Sequence, residues 1–260
     1  RLRVAYFSTG DEILSLGEPP REGAVYDSNR YTVFGLLTRL GVEVIDLGVV
    51  RDEPELLEAA FRNAAQRADA IITSGGVSVG EADHTRTMMK KLGDVAFWRI
   101  AMRPGRPMAV GRIATTENQA KLASSTYPSS ANSYQNDTNH PHSGAVLFGL
   151  PGNPVAVMVT FYAFVRDALF KMASANSLPV PMVSARLAQD LRKRPGRTEY
   201  QRARLSTSNG GMPTAHLTGS QGSGILRSMS ESDCLLVLEH AQGDLKAGDT
   251  VMALPFEGLV

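Results

Sequence analysis

The stretch Ile72–Arg86, ITSGGVSVGEADHTR, decides the fold. It continues the apolar run ADAIITSG (Ala68–Gly75), which has the length and content of a buried strand. The run breaks into two glycines, small polar residues and the acids Glu81 and Asp83, and HTRTMMKKLG (His84–Gly93) then takes up helical spacing. A strand that passes through a glycine turn into a helix is half of a β-α-β unit. In a sheet of such units, ligands collect beyond the carboxyl ends of the strands. Glycines bring backbone N–H groups close to a ligand, and a helix start adds positive polarity. The run holds neither Gly-Lys-Ser/Thr nor GxGxxG, so a phosphate-cradling loop and an ordinary tight turn both fit it.

Outward from this unit the alternation repeats. RVAYFSTG (Arg3–Gly10) and VEVIDLGVV (Val42–Val50) read as strands. Between them, NRYTVFGLLTRLG places Tyr31, Phe34, Leu37 and Leu40 on one helical face, with Gly41 as a C-terminal stop. DEPELLEAAFRNAAQR is a helix that Asp52 can cap, with Pro54 in its first turn. VAFWRI, MAVGRI and AVLFGL are further strands, with Trp98 and Met102 expected in the core, and the apolar NPVAVMVTFYAFVRDALFKMA is a long helix. The expected fold is α/β, a mostly parallel sheet covered by helices on both faces. After Pro181 the pattern turns to short strands (VSARLAQDL, TEYQRARLS, TAHLTG, CLLVLEH, DTVMALP), as in a small all-β barrel or sandwich. This divides the chain into an α/β domain over residues 1–176 and a barrel over 177–260. The polar segment 114–143, rich in Ser, Asn and Thr, is expected to be a disordered insertion between two strands, and the HPH within it to be solvated.

With 260 residues and a net charge of +1, bulk affinity for nucleic acid or membrane is not expected. No apolar run reaches the ~18 residues of a membrane span, and no signal peptide is expected before the first strand. The single cysteine, Cys234, lies in an apolar strand and reads as a core residue, which suits a reducing, cytoplasmic setting.

The loops after the strands carry the chemistry, and all should open on one edge. The first holds Glu12, the second Asp52 and the third Ser74, Gly75, Gly76, Ser78 and Asp83. Two bare carboxylates at ~4 Å repel by about 4 kcal/mol at an effective dielectric of 20, so convergence calls for a cation, a shared proton or basic partners. Mg²⁺ suits oxygen ligands and phosphate substrates. RPGRP places Arg103 and Arg106 in a stiff turn suited to oxyanions, and LPGNPV leads into a helix start at Pro154. No Ser-His-Asp or Cys-His set is evident, and His84 reads as a helix-start residue.

The motifs STGDEI, YDSN, SGGVSVGEAD, RPGRPM, GLPGNPV, GRTEYQRA and TGSQGSG, in this order, resemble the molybdopterin molybdenumtransferase (MoeA) family, which includes the E domain of gephyrin. The resemblance implies Mg²⁺-dependent insertion of molybdate into adenylylated molybdopterin with release of AMP. It further implies an elongated homodimer of four subdomains, of which this chain matches the third and fourth, the first two being expected ahead of Arg1. Carried over by motif, Glu12, Asp52 and Asp83 would be catalytic and hold the metal. Ser74, Gly75, Gly76, Ser78, Arg103, Arg106, Pro151, Pro154, Arg197 and Ser223 would bind substrate. Arg103 and Arg106 stand where the family commonly has lysine, and Ala156 where it commonly has serine. Two other readings compete: a molybdopterin adenylyltransferase, which shares the α/β domain but is characterised by a TGGTG loop, and a non-catalytic dimerisation or scaffold module.

Overall fold

The computed structural model describes residues 1–77, 84–115, 144–176, 179–207 and 211–258. Most of the polar insertion, residues 116–143, lies outside the described residues.

The first half of the chain winds a six-stranded sheet. Its strands are β1 (Arg3–Thr9), β4 (Glu43–Val50), β5 (Ala70–Ser74), β6 (Gly93–Arg99), β8 (Pro107–Ile113) and β9 (Ala145–Leu150), in the order β4-β1-β5-β9-β8-β6. β4, β1, β5 and β9 pair in parallel, while β8 runs antiparallel to both β9 and β6. The carboxyl end of β6 therefore points the same way as those of the parallel strands, and the turn carrying Arg103 and Arg106 falls on that edge. A short pair, β2 (Ile13–Leu14) and β3 (Val25–Tyr26), fills the connection after β1.

Alternation along the strands explains the two covered faces. Val4 and Tyr6 of β1 enter one core with Val33, Leu36 and Leu37 of α1 (Ser28–Arg39). That core also takes Val155, Val157 and Val159 of α4 (Pro154–Thr160) and Phe161 and Val165 of the π-helical turn Phe161–Val165; α5 (Arg166–Met172) continues the same rod. Ala5 and Phe7 enter the opposite core with Leu57 and Phe61 of α2 (Pro54–Arg67) and Met88, Met89 and Leu92 of α3 (His84–Leu92).

The second half closes a small barrel. β10 (Val183–Leu187), β14 (Thr250–Pro255), β13 (Cys234–Leu238), β11 (Thr198–Ser206) and β12 (Thr214–Leu217) pair in a ring, with β12 returning to β10. Alanines 185, 203, 215 and 253, with Leu187, Leu236, Leu238 and Cys234, fill its interior. A short helix, α6 (Arg227–Ser230), precedes β13. The halves are joined by more than the linker. β7 (Met102–Arg103), from the turn after β6, pairs in parallel with β11, so that Met102 lies opposite Thr198 and Arg103 opposite Glu199. Leu235 and Leu254 of the barrel belong to the same apolar core as α1 and α4, and Phe256 stacks on Tyr162 with ring centroids 6.4 Å apart. Among the described residues no helix is long and apolar enough to cross a membrane.

Three expectations are corrected. Helix α1 buries Val33, Leu36 and Leu37, whereas Tyr31 and Phe34 are 50% and 44% exposed, because steps of three residues drift off a 3.6-residue face. Trp98 is 59% exposed because β6 is an edge strand whose alternate side chains face outward; neighbouring Phe97 lies under Arg86 and Lys90. Asp52 does not cap α2: the N-cap position is Glu53, which makes no capping side-chain hydrogen bond among the described residues.

Candidate active site

The strand ends open on a cleft of about 1380 Å³ between sheet and barrel. Its walls are Thr9, Gly10 and Glu12 after β1, Asp52 after β4, Gly75 to Val77 after β5, Met102 to Pro107 after β6, and Pro151 to Pro154 after β9. Arg197 and the segment Gln221 to Gly224 close it from the barrel, and Asp27, Ser28 and Asn29 line it at the start of α1.

Of the expected site residues, Glu12, Asp52, Gly75, Gly76, Arg103, Arg106, Pro151, Pro154, Arg197 and Ser223 share this cleft. Ser78 and Asp83 lie outside the described residues, as does Glu81. Ser74 is not part of the wall. Its hydroxyl is buried beneath, 2.7 Å from the Tyr6 hydroxyl, which also meets Ser8 Oγ at 2.8 Å. Burial, followed by the charge of Asp27, raises the Tyr6 hydroxyl above the usual phenol range, so it remains a neutral part of that network.

The position of Asp52 is fixed by the far side of the opening stretch. Its Oδ1 accepts from the Thr85 backbone N–H at 3.0 Å and from Thr85 Oγ1 at 2.9 Å. Thr85 is fully buried and its hydroxyl also meets Thr9 Oγ1 at 3.1 Å, so one threonine ties the loops after β1 and β4 to the start of α3. The two glycines are explained by the same packing. A Cβ on Gly75 would lie 2.2 Å from the Thr9 carbonyl oxygen, and one on Gly76 would lie 2.3 Å from Thr85 Cγ2; φ is +94° and +66°.

Sequence reasoning gave no role to Asp27, Asn29, Thr85 or Gln221. Asp27 Oδ1 caps α1 through the Arg30 N–H at 3.0 Å, and Asn29 donates to the Gly152 carbonyl at 2.7 Å. Among the described residues, Asp27 Oδ2 and Asn29 Oδ1 are buried with no hydrogen-bond partner. The quoted YDSN holds both, but their burial follows from the entry into α1, which local pattern does not reveal. Gln221 exchanges hydrogen bonds with the backbone of Arg202, accepting at 2.8 Å and donating at 3.1 Å. The fully buried Arg202 guanidinium holds the same loop through the carbonyls of Ser220 at 3.1 Å and Gly222 at 2.9 Å. Burial, with Arg103 near it, pushes the Arg202 pKa down to about 10.

The cleft thus has an acidic side, with Glu12 and Asp52, and a basic side, with Arg103, Arg106 and Arg197. Arg197 also pairs with the buried Glu199, at 3.2 Å. Among the described residues no group of three or more His, Cys, Asp or Glu side chains is placed to hold a metal. Glu12 and Asp52 line this cleft with oxygens of the kind that Mg²⁺ takes, and the described residues supply no third carboxylate beside them.

Comparisons agree with this architecture. Residues 5–171 match the model of a probable molybdopterin binding domain, and residues 184–256 that of the MoeA C-terminal region, domain IV. A molybdopterin molybdenumtransferase of Haemophilus influenzae is 38% identical over 100% of this chain and 57% of its own length. Gephyrin of Dictyostelium discoideum is 30% identical over 96% of this chain and 36% of its own length. A solved molybdopterin biosynthesis MoeA protein from Pyrococcus horikoshii superposes with a TM-score of 0.73 at 26% identity, covering 99% of this chain and 55% of that one. The chain therefore spans little more than half of these relatives, or less. With both family models matched in order on the two halves of one cleft, the chain belongs to the molybdopterin molybdenumtransferase (MoeA) family and carries its molybdopterin-binding-like domain and its C-terminal domain.

Proposed function

We propose that this chain is the α/β and barrel part of an enzyme that inserts molybdate into adenylylated molybdopterin and releases AMP. The observation that carries the reading is the cleft shared by the two halves, acidic at Glu12 and Asp52 and basic at Arg103, Arg106 and Arg197. Glu12 and Asp52, joined by Asp83, would hold Mg²⁺, which when bound supplies a hard positive charge for a phosphoric anhydride. Arg103, Arg106 and Arg197, with Ser78 and Ser223, take the oxyanions, and their charge favours the negative charge that builds on oxygen as the anhydride breaks. The backbone of Gly75 and Gly76 and the rigid turn from Pro151 to Pro154 orient the pterin phosphate, with Ser74 supporting the loop from below. Asp27 and Asn29 shape the wall at the start of α1. No step needs a protein nucleophile.

Homodimerisation of the full-length protein and a cytoplasmic place of action complete the proposal; the single cysteine, buried and free, suits the latter. The test supplies adenylylated molybdopterin, molybdate and Mg²⁺ to the longest form of the protein that carries this chain. AMP release is expected, and Asp52→Ala should lower it by about 10²-fold, the scale of losing one preorganised electrostatic group. Equal release from both forms overturns the role of Asp52; no release from either overturns the reading.

A further inference from the structure

The turn between β6 and β8, residues 100–106, carries Arg103 and Arg106, and its two halves are held by different bodies. The first half belongs to the barrel. The Thr198 N–H donates to the Ala101 carbonyl at 2.9 Å, and β7 sets Met102 opposite Thr198 and Arg103 opposite Glu199. The second half, Pro104 to Arg106, joins no strand ladder among the described residues. Arg106 closes the turn by accepting the Ile100 N–H at 2.8 Å. Gly105, buried and with φ +98°, presses instead on α4. A Cβ at Gly105 would lie 2.5 Å from Thr160 Oγ1, 3.2 Å from Met102 Cε and 3.6 Å from the Ala156 carbonyl oxygen. Glycine permits both that φ and that approach.

Thr160 is fully buried at the last position of α4, where the rod passes into the π-helical turn. Its hydroxyl donates to the Ala156 carbonyl at 2.7 Å, the bond to the preceding turn that a helical threonine can make. This commits the hydroxyl's one proton and holds its oxygen in place beneath Gly105. Thr160 is not itself part of the cleft wall, whereas Gly105 and Arg106 are. The Arg103 and Arg106 guanidiniums are exposed and make no hydrogen bond or ion pair among the described residues. The backbone of the turn therefore decides where they stand.

We propose, resting on the transferase reading for the role of Arg106, that Thr160 is a positioning residue for this reaction. Its back-bonded hydroxyl is the seat on which Gly105 lies, and it sets the height of Arg106 over the cleft. Arg103, three residues earlier, is set by the barrel. One turn thus delivers two cations that answer to separate supports.

The test uses the longest form of the protein that carries this chain, as Thr160→Val, Thr160→Ala, Thr160→Ser, Arg106→Ala and Thr160→Ala/Arg106→Ala. AMP release is followed with molybdate varied, hydrogen exchange is read across residues 100–106, and circular dichroism records folding. Thr160→Val and Thr160→Ala should quicken exchange in the turn. They should raise KM for molybdate about tenfold with kcat changed less than about twofold, as expected when a binding group is misplaced. Thr160→Ser keeps the hydroxyl and should keep both values. On top of Arg106→Ala, Thr160→Ala should raise KM no further, because both act through one guanidinium. Should valine overfill the site and prevent folding, Thr160→Ala carries the same comparison. Unchanged exchange in the turn, an unchanged KM, or effects that add in the double variant overturns the proposal. If the unaltered protein releases no AMP, the transferase reading fails, and exchange in the turn alone decides whether Thr160 is its seat.

Discussion

Asp52 and Thr85 carry the geometry of the acidic side, and they are 33 residues apart. Thr85→Val keeps the shape and removes one hydroxyl donor to a carboxylate. Because Asp52 is partly exposed, the expected cost is about 1–2 kcal/mol, read as a lower urea midpoint, with a fall in AMP release as Asp52 loses its anchor. The acid itself was legible in the sequence as a polar residue after the second strand. Its partner was not: capping is a local rule, and it points Asp52 to the adjacent helix α2 when the side chain turns instead to the start of α3. Cys234 was read correctly, since an apolar strand in a barrel leaves little else for it to be. It is fully buried, its thiol donates to the Ala203 carbonyl at 3.4 Å, and burial, with Asp233 beside it, pushes its pKa from 9.0 up to about 12. At pH 8 the folded protein should react with a thiol reagent far more slowly than the urea-unfolded chain, as followed by absorbance. The sign for stability follows: the unfolded thiol ionises first, so this group's contribution falls as pH rises from about 9 towards about 12.

At the scale of elements, α2 is held on both sides. Phe61 packs edge-on against Phe7 of β1 with centroids 5.1 Å apart, and both rings are fully buried. Phe61→Ala should cost about 3–5 kcal/mol by urea unfolding, the range for emptying a packed aromatic site. On the solvent side, Glu58 meets Arg62 one turn on at 2.7 Å and Lys91 of α3 at 2.9 Å. Hydrogen bonds from Lys91 and then Arg62 hold the Glu58 carboxyl below its usual 4.5. Its contribution is therefore present above pH 4.5 and is lost as pH falls through the lower folded value. The thermal midpoint of Glu58→Gln should lie below that of the unaltered protein at neutral pH, and the gap should close in acid. Strand and helix identities were readable because the apolar runs are long and punctuated by glycine and proline. The face of α1 was not, because Tyr31 and Phe34 look like core residues to any pattern that counts apolar types, while the sheet accepts Val33, Leu36 and Leu37.

At the scale of the molecule, the barrel and the sheet share one apolar core, and that fact was beyond the sequence. The parallel sheet followed by a barrel could be read from alternation and strand spacing, but β7, two residues long, carries no pattern. Phe256 stacks on Tyr162 across the junction, so Phe256→Ala should lower the unfolding temperature of the whole chain as one calorimetric transition rather than splitting off a barrel peak. The double membership of β7 has a mechanical consequence. Arg103 belongs to the α/β half by chain order and to the barrel by its ladder with β11, which also carries the residue next to Arg197. Any rocking of the barrel must take both guanidiniums along, while Glu12 and Asp52 stay with the rim of the sheet. The spacing between opposite charges is then set by a single rigid-body angle, a built-in caliper for whatever bridges them.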